Sequence, residues 1–292
     1  MNLSSSTSRQ APPPLTENQR RALLNLLSDE DTEVYNAVRS RILACGSAAL
    51  TWLRPQALSS DPLFRRRVQE LIQQLARREA DDGFLAFCLS HGENLDLEAG
   101  VWLLAQTQYP EINSAAYVAL LDSYAADLRE RLAGRHSPQG ILAEINEYLF
   151  GVLAFRGNAD HLRDPESSYL NRVMDRRTGN PISLCAVYWL LGRRLRLPIV
   201  GIGMPGHFLC RYQSANEALF IDAFHQGRLL TRADCIRYLQ QSNHGFHESF
   251  LAPVSPGRAL LRMCANLHQI YARLELREDC ARVQRYVVAL AR

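Results

Sequence analysis

Residues 180–191 read Asn-Pro-Ile-Ser-Leu-Cys-Ala-Val-Tyr-Trp-Leu-Leu, a segment that is apolar on nearly every side once wound into a helix. Asn180 is placed to cap it and Pro181 to open it, because a proline at the first helical position gives up only an N–H that would lack a helical partner. Such a helix cannot face water, so its domain must be built around it. Near residue 198 the period changes. Residues 199–204, 207–212 and 218–221 read as three short strands, joined by Pro205-Gly206 and by a polar turn at 214–217. The pattern returns to helix after Asp222, with Thr231 as a cap. A buried helix followed by a small antiparallel sheet predicts an α+β core in a predominantly helical chain.

The flanking sequence is helical. Apolar residues recur at helical spacing at Leu23, Leu26, Leu27, Val34, Val38 and Ile42, and again at Val68, Leu71, Ile72 and Leu75. Asp29 and Asp31 before one helix and Gly46 after it give a HEAT-like helical pair, with a weak second copy at 61–78. Helical spacing continues from 84 to 155, with Asp96 and Ser137 as caps, and returns in two helices near 257–274 and 277–291 that resemble a TPR-like hairpin. Residues 1–14 hold Ser, Thr and a proline run and are expected to be a disordered tail. The expected organisation is therefore this tail, a HEAT-like region at 15–80, one domain at 81–240 with its core at 140–240, and a helical pair at 241–292.

Composition narrows the function classes. The chain of 292 residues is 47% hydrophobic, enough for a packed core, and its 33 basic and 30 acidic residues leave a net charge of only +3. The arginines are scattered beside acids, so no basic stripe points to nucleic acid. No uncharged apolar run long enough for a membrane span appears, and the first residues lack the apolar stretch of a secretory signal. Seven cysteines without a CxxC pair fit reduced thiols in a cytoplasm better than a disulfide framework. Gly201-x-Gly203 lies in a strand, so a dinucleotide turn is not expected. His225, His244 and His247 fall in irregular sequence with no two on one helix face; neither metal nor cofactor is expected.

Phe155-Arg156-Gly157-Asn158, Asp164-Pro165, Ser168-Tyr169-Leu170-Asn171, Arg176-Arg177-Thr178-Gly179-Asn180-Pro181-Ile182-Ser183-Leu184, Pro205-Gly206-His207-Phe208-Leu209 and Phe220-Ile221-Asp222-Ala223-Phe224 carry a resemblance. In order and spacing they resemble the SirB-type family of transglutaminase-like proteins, over some two-thirds of the chain. The resemblance implies a papain-like core in which a helix packs on an antiparallel sheet. It further implies a Cys-His-Asp site, in which a thiol is activated by an imidazole that a carboxylate orients. Carried over by motif, His207 matches the base and Asp222 the orienter. The family spacing puts the nucleophile near 181–183, whereas the thiol is Cys185, more than a turn inside the helix, where free N–H groups do not reach. Ser183 is nearer the register but needs stronger activation.

Each residue also has a plainer reading. Cys185 fits a buried core cysteine, and His207 a structural histidine bonded to Asp222; on either reading His207 and Asp222 should touch. Asn158 and Asn171 either position a loop over the cleft or simply form turns. Arg176 and Arg177 either hold an acidic ligand at the cleft mouth or end a solvated helix. Two functions follow. One is an interaction or regulatory protein with a catalytically degenerate core and a protein partner. The other is a thiol enzyme acting on amide bonds of a protein substrate, with Cys185 or Ser183 as nucleophile. Oligomeric state does not follow from the sequence.

Overall fold

The computed structural model describes residues 15–90, 95–160, 162–214, 218–241 and 245–292. The expected tail at 1–14 lies outside them, as do His244 and most of the turn at 214–217. The backbone separates into two units, Met1–Asp82 and Gly83–Arg292.

The first unit is built from α1 (Glu17–Leu26), α2 (Thr32–Leu43), α3 (Leu50–Leu53) and the start of α4 (Pro62–Ser90). Thr16 and Gln19 close a reciprocal capping box on α1, and the Asp31 side chain accepts the Glu33 N–H to cap α2. Leu27, Val38, Ile42, Leu53, Val68, Leu71 and Leu75 form its core. At the end of α1, Arg67 Nη1 donates to Leu27 O and Asp29 O, both at 2.7 Å, and its guanidinium stacks 4.1 Å from the Tyr35 ring centre. One side chain thus satisfies carbonyls that the helix end leaves open.

The second unit adds α5 (Leu97–Gln108), α6 (Ser114–Arg131), α7 (Pro138–Asn146), β1 (Arg156–Gly157), α8 (Leu170–Arg176), β2 (Thr178–Gly179) and α9 (Pro181–Arg194). Then come β3 (Ile199–Ile202), β4 (Leu209–Gln213), β5 (Ala218–Asp222), β6 (Arg228–Leu230), α10 (Arg232–Gln241), β7 (Pro253–Val254), α11 (Pro256–Arg273) and α12 (Arg277–Leu290). Asp96, Asn113 and Ser137 cap α5, α6 and α7 through their side chains. The class is α+β and mostly helical, with a five-stranded antiparallel sheet in the order β6-β5-β4-β3-β7.

Helix α9 is the axis of this unit. Every residue from Ile182 to Gly192 is buried, as its apolar sequence requires, and the helix packs on β3 and β4 as well as on α6, α8 and α11. Two glycines set the approach. A Cβ at Gly201 would lie 2.7 Å from Trp189 Cζ3, and one at Gly192 would lie 2.9 Å from Ile199 Cδ1. The terminal pair joins the same core through Leu260, Cys264, Leu267, Tyr271 and Tyr286, and the Tyr169 and Tyr271 hydroxyls meet at 2.8 Å.

The strands depart from the sequence pattern in two ways. β4 begins at Leu209, two residues later than the expected strand at 207–212, because Gly206 takes a positive φ and the His207 N–H donates back to Met204 O at 3.3 Å. His207 therefore sits in a turn, not on a strand. β6, β7 and the parallel pair β1–β2 have only two or three residues each, too few to show alternation. Pro253 is tolerated in β7 because that strand forms the sheet edge. Among the described residues no helix is long and apolar enough to cross a membrane.

Candidate functional site

Three pieces of chain converge on one cleft: the opening of α9, the turn before β4 and the end of β5. Asn180 caps α9 by accepting the Ser183 N–H at 3.0 Å, and its Nδ2 donates to Ser168 Oγ at 2.9 Å. The Ser183 hydroxyl, wholly buried, lies 2.7 Å from Ser167 O and 3.1 Å from Asn180 O. Its single proton goes to one of these carbonyls, so Ser183 serves as a backbone tie.

Cys185 lies deeper and is also fully buried. Its Sγ donates to Phe208 O at 3.4 Å, and Cys210 Sγ donates to Cys185 O at the same distance. Burial pushes the Cys185 thiol well above its ordinary range, with Cys210 and the Asp222 carboxylate adding to the effect. The cysteine points to the sheet and does not line the cleft.

His207 and Asp222 do meet. His207 Nε2 lies 3.0 Å from Asp222 Oδ1, close enough for an ion pair, although the ring is not aligned for a straight N–H···O bond. The other carboxylate oxygen lies 2.8 Å from His225 Nδ1, and the His225 N–H donates to Asp222 Oδ1 at 3.2 Å. Burial alone would raise the Asp222 pKa; contacts with His207, then His225, outweigh it and hold the carboxyl below its usual value. Nε2 of His207 faces the carboxylate, which leaves Nδ1 as the nitrogen available for other chemistry.

These groups face a cleft of about 660 Å³ whose walls include Pro181, Ile182, Phe208, Tyr238 and Arg262. Cys235 also lines it, but this thiol is buried and pushed up to about 12, chiefly by burial and then by Asp234 and Asp222. Asn158, Asn171, Arg176 and Arg177 are elsewhere. Asn158 Oδ1 accepts the Asp160 N–H at 3.0 Å in a local turn, and Asn171 is buried near the start of α8. Arg176 pairs with Asp164 at 3.0 Å and with Glu166; Arg177 has a left-handed backbone and places its guanidinium 4.8 Å from the Phe155 ring centre and 5.2 Å from that of Tyr124.

The histidines also assort differently from their sequence grouping. His247 Nδ1 lies 2.7 Å from Ser249 Oγ, whereas His225 joins Asp222 and His207. One ligand atom from each of His207, Asp222 and His225 lies within 4.8 Å of the others, a set that could hold a divalent ion. Tyr238 and Arg262 also line the cleft, and neither stands in a motif of the sequence. Arg262 and Asn266 stand four residues apart beside the buried stripe of α11, which is the one sequence signal that would have drawn them out.

A central capped helix, a small antiparallel sheet and a histidine facing a carboxylate at the helix opening define a transglutaminase-like architecture. The chain belongs to the transglutaminase-like superfamily, which matches residues 115–265. It is 34% identical over 197 residues to a UPF0162 protein of Xylella fastidiosa, covering 65% of this chain and 70% of that one. A UPF0162 protein of Pseudomonas aeruginosa is 31% identical over 192 residues, covering 63% and 68%. F-box only protein 21 of Mus musculus is 33% identical over 135 residues, which cover 44% of this chain and 21% of the mouse protein. No solved structure matches.

Proposed function

We propose that this chain is a SirB-type, cytoplasmic transglutaminase-like protein whose core lacks a working thiol nucleophile and acts by binding, with α11 and α12 as a TPR-like pair beside it. One observation supports this reading above the rest. Where α9 opens onto the cleft it presents Pro181 and Ile182, while Cys185 is sealed deeper in the helix against Phe208 O. A proline and an isoleucine offer no nucleophile, and a thiol raised by burial carries little thiolate near neutral pH. The likeness to a fifth of a longer F-box only protein supports use of the core as one module among others.

The pH dependence of cysteine alkylation in the native protein, read by mass spectrometry, tests the proposal. Cys185 should stay unmodified until the protein unfolds. Fast alkylation of native Cys185 at neutral pH that is lost in His207→Ala would overturn it.

A second reading keeps the chemistry, because the His207–Asp222 pair is in place. In it the protein is a Cys-His-Asp thiol enzyme acting on amide bonds of a protein substrate. That reading requires α9 to shift so that Cys185 or Ser183 reaches His207. It also requires Asn158, Asn171, Arg176 and Arg177 to exchange their present partners for substrate.

A further inference from the structure

Helix α11 carries a guanidinium that its surroundings leave without a counter-charge. Arg262 is only partly exposed, and among the described residues no carboxylate lies within ion-pair distance of it. Its contacts are Nε to Asn266 Oδ1 and Nη2 to Met204 O, each at 3.4 Å, near the outer limit for a hydrogen bond. Burial pushes its pKa down, as desolvation does to a cation that nothing negative compensates. Holding such a group in place costs stability unless an anion meets it.

Its neighbours point the same way. Arg273 lines the same cleft and has no ion pair among the described residues, whereas Arg237 is paired with Asp234 at 3.2 Å and Arg228 acts on that carboxylate from a longer distance. The acidic wall is already engaged, since Asp222 faces two imidazoles. Met204 O accepts both the Arg262 guanidinium and, at 3.3 Å, the His207 N–H, so Arg262 is held at the turn that carries His207. The opening of α9 lines the cleft too, and Ile182 is its first residue with an N–H to offer, because Pro181 has none and the Ser183 N–H goes to Asn180.

From this arrangement we infer that the cleft binds the oxyanion of a small ligand, a carboxylate or a phosphate, with Arg262 as its main anchor. The volume of about 660 Å³ suits a small molecule. The inference rests on the reading of the cleft as a binding site and names the ligand class for it. A guanidinium offers a planar fork that matches either oxyanion, and excess positive charge in the cleft would favour its entry.

The test titrates the full chain with inorganic phosphate and, separately, with glutarate, by calorimetry and by the NMR signals of the His207 ring. At least one probe should bind the wild type and shift those signals. Arg262→Gln should weaken binding about tenfold or more, and Arg262→Lys less, since it keeps the charge but loses the fork. Binding of phosphate alone or glutarate alone then identifies the oxyanion. The melting temperature of Arg262→Gln should equal or exceed that of the wild type, because the cation removed had no counter-charge and made only two long hydrogen bonds. Should Arg262→Gln not fold, the rise in melting temperature that the bound probe gives must be larger in the wild type than in Arg262→Lys. Failure of both probes to bind the wild type, or equal binding by Arg262→Gln, overturns the inference. Alkylation of Cys185 is read independently, so the missing nucleophile and the oxyanion site can fail separately.

Discussion

Within its first turn and a half, α9 passes between two environments. At its opening, Pro181 and Ile182 share a cleft with His207, Asp222, His225 and arginines. At Cys185 the helix is closed in by β4: the sulfur donates to Phe208 O, and the Cys210 thiol donates to the Cys185 carbonyl. Polar groups in the cleft can exchange protons and ligands with water, whereas the same groups beside Cys185 would be desolvated and inert. The difference teaches that in this fold the reactivity of a side chain on the central helix depends on its distance from the cap. A shift of three or four residues turns a candidate nucleophile into core.

The largest effect should come from the dry side. Leu190 is wholly buried at the middle of α9, and Leu190→Ala should lower stability by about 2–5 kcal/mol in urea unfolding through lost packing and a residual cavity. A loss below about 1 kcal/mol would show that the helix is not the organising element and would dissolve the contrast. Gly201→Ala comes next. Its new Cβ would sit 2.7 Å from Trp189 and 3.0 Å from Phe208, so sheet and helix must part, at about 1–3 kcal/mol. A neutral result would mean that the two layers are looser than their contacts imply.

On the wet side, Asp222→Asn removes the charge that two histidines share and should cost about 1–2 kcal/mol near neutral pH. Its pH signature is more specific. Because the folded-state pKa of Asp222 is depressed, its contribution is fully present above the unfolded value near 3.8 and is lost as pH falls through the lower folded-state value. The wild type should therefore lose stability in acid more steeply than Asp222→Asn. Parallel acid limbs in the two proteins would mean that the carboxylate gains nothing from its imidazole neighbours in the fold.

Much of the fold was legible in the sequence. The α9 segment is apolar on all sides, so its central burial followed from composition alone, and Asn180-Pro181 fixed its start. Strands β3 and β5 are short apolar runs bounded by turn residues, which is enough to read them. The two-residue strands could not be, since a ladder that short is dictated by neighbours and not by its own pattern. The site was legible only where motif and contact coincide. His207 and Asp222 stand in local motifs, and they meet because β4 and β5 pair. The part played by His225 depends on a tight turn after Asp222, which redirects a ring that sequence spacing groups with His244 and His247. Arg262 reaches the cleft from a distant helix, and its place beside the buried stripe of α11 does not by itself mark a cation that lacks a counter-charge.

The smallest perturbation is the sharpest test of the contrast along α9. Pro181→Cys places a second thiol at the mouth of the cleft, at a position that is partly exposed and tolerant, since a first-turn residue makes no obligatory N–H bond. There the helix opening and the nearby His207 should stabilise a thiolate, as they cannot for Cys185. A fall of about one unit in thiol pKa raises the thiolate fraction near neutral pH roughly tenfold, so alkylation of the thiol introduced by Pro181→Cys should exceed that of an unperturbed thiol by about that factor. Adding His207→Ala should abolish most of the gain. If the introduced thiol reacts no faster than a free one, the cleft lacks the electrostatics for cysteine chemistry at any register, and the binding reading holds for the architecture as well as for its present residues. If it reacts fast and needs His207, the machinery is intact and only the nucleophile is missing.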